Sequence, residues 1–199
     1  MAKPQWGLAA AMIALVAMLG LTGLPATTAT PAATAPCLAD GSGFLTARLR
    51  GDLDVDLDWR GPALACTGMS RPDGLGMRLR FSGELPDGSA LAIVFAPPRL
   101  AEGENGRAVP VNVTVLREST GRIYGTRGEK RCTLDEVTQR LISGPVVDAR
   151  LWEVQARGFC TEPARALDDS GSVLLTRFDF RGQARLEAAP ASQPKDAEE

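Results

Sequence analysis

The chain has 199 residues, 44% of them hydrophobic, and a formal net charge of -2. That composition suits one globular domain with a real core and excludes a disordered chain or a multi-span membrane protein; so small a charge gives no field to gather nucleic acid. Histidine is absent, which excludes Ser-His-Asp and Cys-His nucleophiles, histidine acid–base chemistry and nearly every catalytic zinc site.

The N-terminus reads as a secretory leader. Lys3 and the terminal amine precede an unbroken small and apolar run from Gly7 to Leu21, followed by Ala- and Thr-rich sequence. Residues 1–29 are predicted to be a signal peptide cut after Thr27-Thr28-Ala29, with a later cut after Ala33-Thr34-Ala35 as the alternative. An uncleaved anchor is the rival, because extension to Leu24 nearly reaches a spanning length. Pro36 before Cys37 argues against a lipid-modified cysteine. A periplasmic or secreted location is expected, with no membrane contact beyond the leader.

All four cysteines, Cys37, Cys66, Cys132 and Cys160, follow the cleavage region. An even count in an exported chain predicts two disulfides, and the lack of a C-x-x-C removes the redox-motif reading. Of three connectivities the favoured one is Cys37–Cys66 with Cys132–Cys160. Loops of that size each stabilise by about 3–4 kcal/mol in the chain-entropy model.

From Leu45 to Trp59 the chain alternates. Leu45, Ala47, Leu49, Leu53, Val55, Leu57 and Trp59 fall on one parity, and Thr46, Arg48, Arg50, Asp52, Asp54, Asp56 and Asp58 on the other. Period two predicts half-buried β structure, and a single strand would span roughly 50 Å, so a break at Gly51 is expected. A two-residue turn would set Leu49 against Asp54. A three-residue turn at Gly51–Leu53 instead matches Arg50 with Asp54, Arg48 with Asp56 and Leu45 with Trp59. One long strand that bends and changes sheets remains the rival.

Short strands then recur between turns. Pro72-Asp73-Gly74 leads to Met77, Leu79 and Phe81, and Pro86-Asp87-Gly88 to Leu91, Ile93 and Phe95. A hairpin centred at residue 86 predicts the pairs Phe81/Leu91, Leu79/Ile93 and Met77/Phe95. Asn105-Gly106 opens onto Val111, Val113 and Val115, and Ser119-Thr120-Gly121 turns back to Ile123. Thr133-Leu134-Asp135-Glu136 fits a capping box, and Leu134, Val137 and Leu141 recur at helical spacing, so a short helix is expected there. Leu151–Phe159 reads as a strand. Ser172–Leu186 alternates Leu174, Phe178, Phe180, Ala184 and Leu186 against Arg177, Asp179, Arg181 and Arg185. The expected fold is a mostly β, antiparallel sandwich of eight or nine strands with one short helix and two disulfides, a distorted barrel being the alternative. Residues 37–188 would form this domain, and 189–199 a disordered tail.

The leader, the G-S-G-F opening at Gly41–Phe44, the L-R-G-D-L-D segment and the late R-F-D-F-R-G strand resemble a group of uncharacterised secreted bacterial β-sandwich-like proteins. The resemblance covers residues 37 to about 187 and implies no activity.

The acidic stripe Asp52, Asp54, Asp56 and Asp58 is the candidate interaction surface. Same-face neighbours roughly 6.5–7 Å apart repel by about 0.6 kcal/mol even in water, so the stripe calls for counter-charge. Arg48 and Arg50 across the hairpin, or Arg177, Arg181 and Arg185 on a neighbouring last strand, would supply it internally. A basic envelope protein is the second source. Calcium is the third, though a straight strand spreads its carboxylates too far for six to eight converging oxygens. No other cofactor or metal is expected.

Glu84, Glu102, Glu104, Glu118 and Asp135 lie scattered in predicted turns or at the helix start, and none is singled out as a glycosidase pair. Arg50-Gly51-Asp52 spells an adhesion tripeptide by chance, and Asn112-Val113-Thr114 lies mid-strand. The function expected is a non-catalytic binding or structural module. The alternative is a carboxylate-based extracytoplasmic hydrolase or calcium-dependent carbohydrate binder.

Overall fold

A computed structural model describes residues 36–73, 75–128, 131–146 and 149–187. The predicted leader and the tail 189–199 lie outside the described residues. Among the described residues twelve strands carry the fold. They are β1 (Phe44–Gly51), β2 (Val55–Arg60), β3 (Ala65–Ser70), β4 (Met77–Glu84), β5 (Ala90–Ala96) and β6 (Gly106–Pro110), then β7 (Asn112–Arg117), β8 (Arg122–Gly125), β9 (Cys132–Val146), β10 (Ala149–Cys160), β11 (Ala164–Ala166) and β12 (Ser172–Glu187). Among the described residues the only helical element is a 3-10 turn at Gly61–Ala63.

The hydrogen-bonded order is β11-β8-β7-β5-β4-β3-β12-β10-β9-β6, with β1 on β12 and β2 on β1. Because β11 also pairs with β12, the path closes on itself. Closure rests on two residue pairs there and on the single parallel pair Arg185/Met69 between β12 and β3. The result is a mostly antiparallel fold that is not a regular barrel. The sixteen-residue β12 is its spine, bonding β1 along its first half and β10 along its second.

Parity sets the first hairpin as the sequence predicts. Leu45 faces Trp59, Arg48 faces Asp56 and Leu49 faces Val55. Gly51 sits at φ 110°, and a Cβ there would lie 2.5 Å from the Ser172 carbonyl oxygen, so both conformation and space require glycine. The β4–β5 hairpin keeps its predicted faces but shifts register. Phe81 faces Ile93, and Leu79 faces Phe95. The turn centres on Asp87, whose carboxylate accepts the Ser89 amide (2.9 Å) and hydroxyl (2.6 Å). Moving a turn centre by one residue moves the register by two, which leaves every side chain on its face.

The expected helix at 133–141 is strand instead. β9 pairs with β10 on one edge and with β6 on the other, and β6 itself was not foreseen. Between Leu134 and Glu136 the β9–β10 register slips by one residue, so Asp135 is a bulge. An extra residue puts Leu134 and Val137 on the same face at a spacing of three, which imitates a helical turn. β12 carries a second bulge, at Thr176. Val173 and Leu175 therefore face the core below it, and Leu174, expected there, is only partly buried.

The core is aromatic at its centre. Phe95 lies 4.6 Å from Phe180 and 4.7 Å from Phe178, and Phe81 lies 4.9 Å from Phe180, ring centre to ring centre. All four rings are fully buried, each worth about 1.5–3 kcal/mol. Both predicted disulfides form. Cys37–Cys66 ties the entry to β1 onto β3, and Cys132–Cys160 joins facing residues of β9 and β10. Two structural disulfides fit an oxidising, extracytoplasmic compartment.

Candidate functional site: a six-stranded polar face

Strands β2-β1-β12-β10-β9-β6 form one antiparallel wing whose outward face is polar. One row crosses all six strands: Asp58, Thr46, Asp179, Arg157, Glu136 and Arg107. Beside it run Arg60, Phe44, Arg181, Gln155 and Thr138. On the other side Asp56 faces Arg48, which faces Arg177.

The acidic stripe occupies the edge of this face. Asp54, Asp56 and Asp58 are exposed, but each has a local arginine. Arg50 lies 3.3 Å from Asp54 and 2.8 Å from Asp56, Arg48 lies 3.5 Å from Asp56, and Arg60 lies 2.7 Å from Asp58. Arg60, which also stacks over the Phe44 ring at 5.2 Å, was not among the expected counter-charges. Asp52 leaves the stripe altogether: its carboxylate accepts the Tyr124 hydroxyl (3.2 Å) and lies 3.5 Å from Arg122. Arg50 and Asp52 are thus both engaged, and the Arg-Gly-Asp tripeptide is part of this turn's packing.

The last strand neighbours the first, as one reading required, yet its arginines do not serve the stripe. Arg181 donates to Glu153 (2.8 Å), while Arg177 and Arg185 make no ion pair among the described residues. The reason is reach. On β12 these residues stand one strand beyond β1, and Arg48 and Arg50 are closer to the aspartates.

Glu153 was missed by sequence reasoning. It is almost fully buried on the polar face, clamped by Arg181 and by Arg140 at 2.6 Å. Gln139 was missed too. From the inner face of β9 its amide donates to the carbonyls of Ala101 (2.8 Å) and Glu104 (2.6 Å) and accepts from the Gly103 amide (3.1 Å), which pins the loop after β5. Only the positions of these two residues within the strand pattern could have flagged them. A third feature was legible: the D-x-S spacing at Asp40/Ser42, Asp87/Ser89 and Asp168/Ser170. Each serine hydroxyl and amide donates to the aspartate, and these bonds hold all three carboxyls below the usual range.

Asp179 is shifted the opposite way. Burial raises its pKa against the lowering influence of Arg157, Arg177 and Arg60, and its buried Oδ1 has no hydrogen-bond partner. With Glu136, Thr138, Gln155 and Arg157 it lines a shallow groove of about 290 Å³. Arg157 donates to Glu136 (2.9 Å) rather than to Asp179.

The scattered carboxylates stay scattered. Glu118 pairs with Arg80, Glu102 accepts from the Trp152 indole (2.7 Å), and Glu104 accepts from the Ala101 amide (2.9 Å). Glu84 and Glu118 do border one open groove, floored by Ala65, Ser82 and Ala90. Among the described residues no three Asp, Glu or Cys side chains converge to hold a metal ion, and no helix is long and apolar enough to cross a membrane. No family model, curated protein or solved structure matches this chain.

Proposed function

We propose that the domain is a non-catalytic module of the periplasm or the secreted space, which binds an envelope protein through its six-stranded polar face. The carrying observation is that face itself, an antiparallel platform with Asp56 and Asp58 exposed on its edge strand β2 and Asp54 exposed just before it. The arginine pairs that cover the stripe are solvent-exposed, and such pairs contribute about 0–1 kcal/mol each. A basic partner can exchange with them at little cost, and charge complementarity would then steer the encounter. The leader-like N-terminal sequence and the two disulfides support the compartment.

Crosslinking pull-down from native envelope extract with the oxidised protein as bait tests this reading. A stoichiometric partner lost on Asp54→Asn with Asp56→Asn is the expected result. A partner held equally by that variant, or none at all, overturns it.

The second reading, a carboxylate-based hydrolase or calcium-dependent sugar binder, draws on the groove shared by Asp179 and Glu136. A raised carboxyl near an arginine-bound carboxylate is the arrangement acid–base chemistry uses. A ligand-melting screen with and without calcium addresses it. A shift abolished by Asp179→Asn would favour this reading over the first.

A further inference from the structure

Two strands end the polar wing, and their outer edges differ. β6 carries Pro110, which has no amide hydrogen to donate, and Ala108 at φ 52°, so its edge is blunted against further pairing. β2 contains neither proline nor glycine and pairs with β1 without a register shift. Among the described residues no strand lies on its other side. Leu57 and Trp59 point to the core and are buried, while Asp56, Asp58 and Arg60 stand exposed on the polar face. One row of β2 backbone groups therefore has no ladder partner among the described residues.

The aspartates draw their counter-charge from one side. Arg48 and Arg50 reach Asp56 from β1, Arg50 also reaches Asp54, and Arg60 reaches Asp58 along β2 itself. Across β1, Asp58 faces Thr46 rather than a cation. No other cation among the described residues pairs with these three carboxylates. Near the end of β2 the Trp59 indole donates to the Glu84 carbonyl (2.9 Å), which brings up a further carboxylate without an ion pair of its own. At the turn, Asp52 and Arg122 neutralise each other.

A second copy of the chain fits this edge poorly. Two same-face registers give an antiparallel β2–β2 pair its longest overlap. One sets Asp56 against Asp58 twice. The other gains Asp56 against Arg60 but sets Asp58 against its own copy. Like charges directly opposite destabilise a sheet. A strand with cations opposite Asp56 and Asp58 carries neither conflict.

On the partner-binding reading given above, we propose that the open edge of β2 takes an extended segment of the envelope partner as an added β-strand, with basic residues opposite Asp56 and Asp58 and apolar residues beside Leu57 and Trp59. Main-chain hydrogen bonds supply the affinity, and the alternation supplies the specificity. Arg60 would repel a cation at its own position, which limits the basic residues to the two places opposite the aspartates.

The test uses the oxidised protein and two short peptides of equal composition. One alternates arginine and valine, and the other holds them in separate blocks. A third peptide alternates but is methylated at every backbone amide. Only the first should bind, slow amide hydrogen exchange along β2 and displace the captured envelope partner. Asp56→Asn with Asp58→Asn should weaken its binding by up to about five-fold per aspartate. Equal binding of the block or methylated peptide, binding that leaves β2 exchange unchanged, or β2 amides already protected by dimerisation would each overturn the proposal. A captured partner that the alternating peptide cannot displace would overturn strand addition and leave the partner reading standing. Capture of no partner at all would overturn both.

Discussion

Arg181 reaches from β12 to Glu153 on the neighbouring strand β10, 2.8 Å away, and Arg140 closes on the same carboxylate from β9. Three adjacent strands are thereby tied through one nearly buried negative charge. A buried charge that loses a partner is costly, because desolvation is no longer offset. Arg181→Gln should therefore destabilise the domain by about 1–3 kcal/mol, Arg140 remaining as a partial counter-charge. Arg185→Gln, which breaks no ion pair, should stay within about 0.5 kcal/mol of the parent. Urea unfolding of the oxidised protein measures both.

Asp179 should make its own mark on the pH dependence of stability. Its folded pKa is raised, so its contribution is fully present below the unfolded value of 3.8 and is lost as pH rises through the folded value. Asp179→Asn should raise the melting temperature at pH 7 relative to the parent, and the gain should vanish when both are melted below pH 3.8. A gain that persisted in acid would assign the effect to packing rather than to charge.

The D-x-S turns should behave the other way. Asp87 has a lowered folded pKa, so its contribution is present above 3.8 and fades as pH falls through the folded value. Asp87→Ala should lower the melting temperature at neutral pH, with the difference shrinking in acid. It should also loosen the β4–β5 register, visible as faster amide exchange at Leu85 and Ser89, whose backbones bond across the turn.

Removing Cys132–Cys160 by double alanine substitution should cost about 3–4 kcal/mol, the chain-entropy value for a 28-residue separation. Thermal unfolding under non-reducing conditions reads this directly. Peptide mapping of the parent should return the Cys37–Cys66 and Cys132–Cys160 peptides, and a Cys37–Cys160 peptide would contradict the strand order.

Local periodicity was enough to determine much of this protein. The alternation from Leu45 to Trp59 excludes an even-length turn, so the faces of β1 and β2 followed from parity, and a turn centred on Asp52 matched their register. The cysteine pairing, the buried phenylalanines and the absence of histidine chemistry were equally legible. Tertiary structure alone decided the rest. Leu134 and Val137 have a helical spacing in the sequence, and only pairing of β9 on both edges reveals that spacing as a bulge. The stripe's counter-charges came from Arg48, Arg50 and Arg60 rather than from β12, because side-chain reach across one strand decides which ion pairs form. The Glu153–Arg181 pair and the Met69/Arg185 neighbours come from different strands that only β12 brings together. Period-two patterning fixes which face a residue takes, but it carries no information about which distant strand lies alongside.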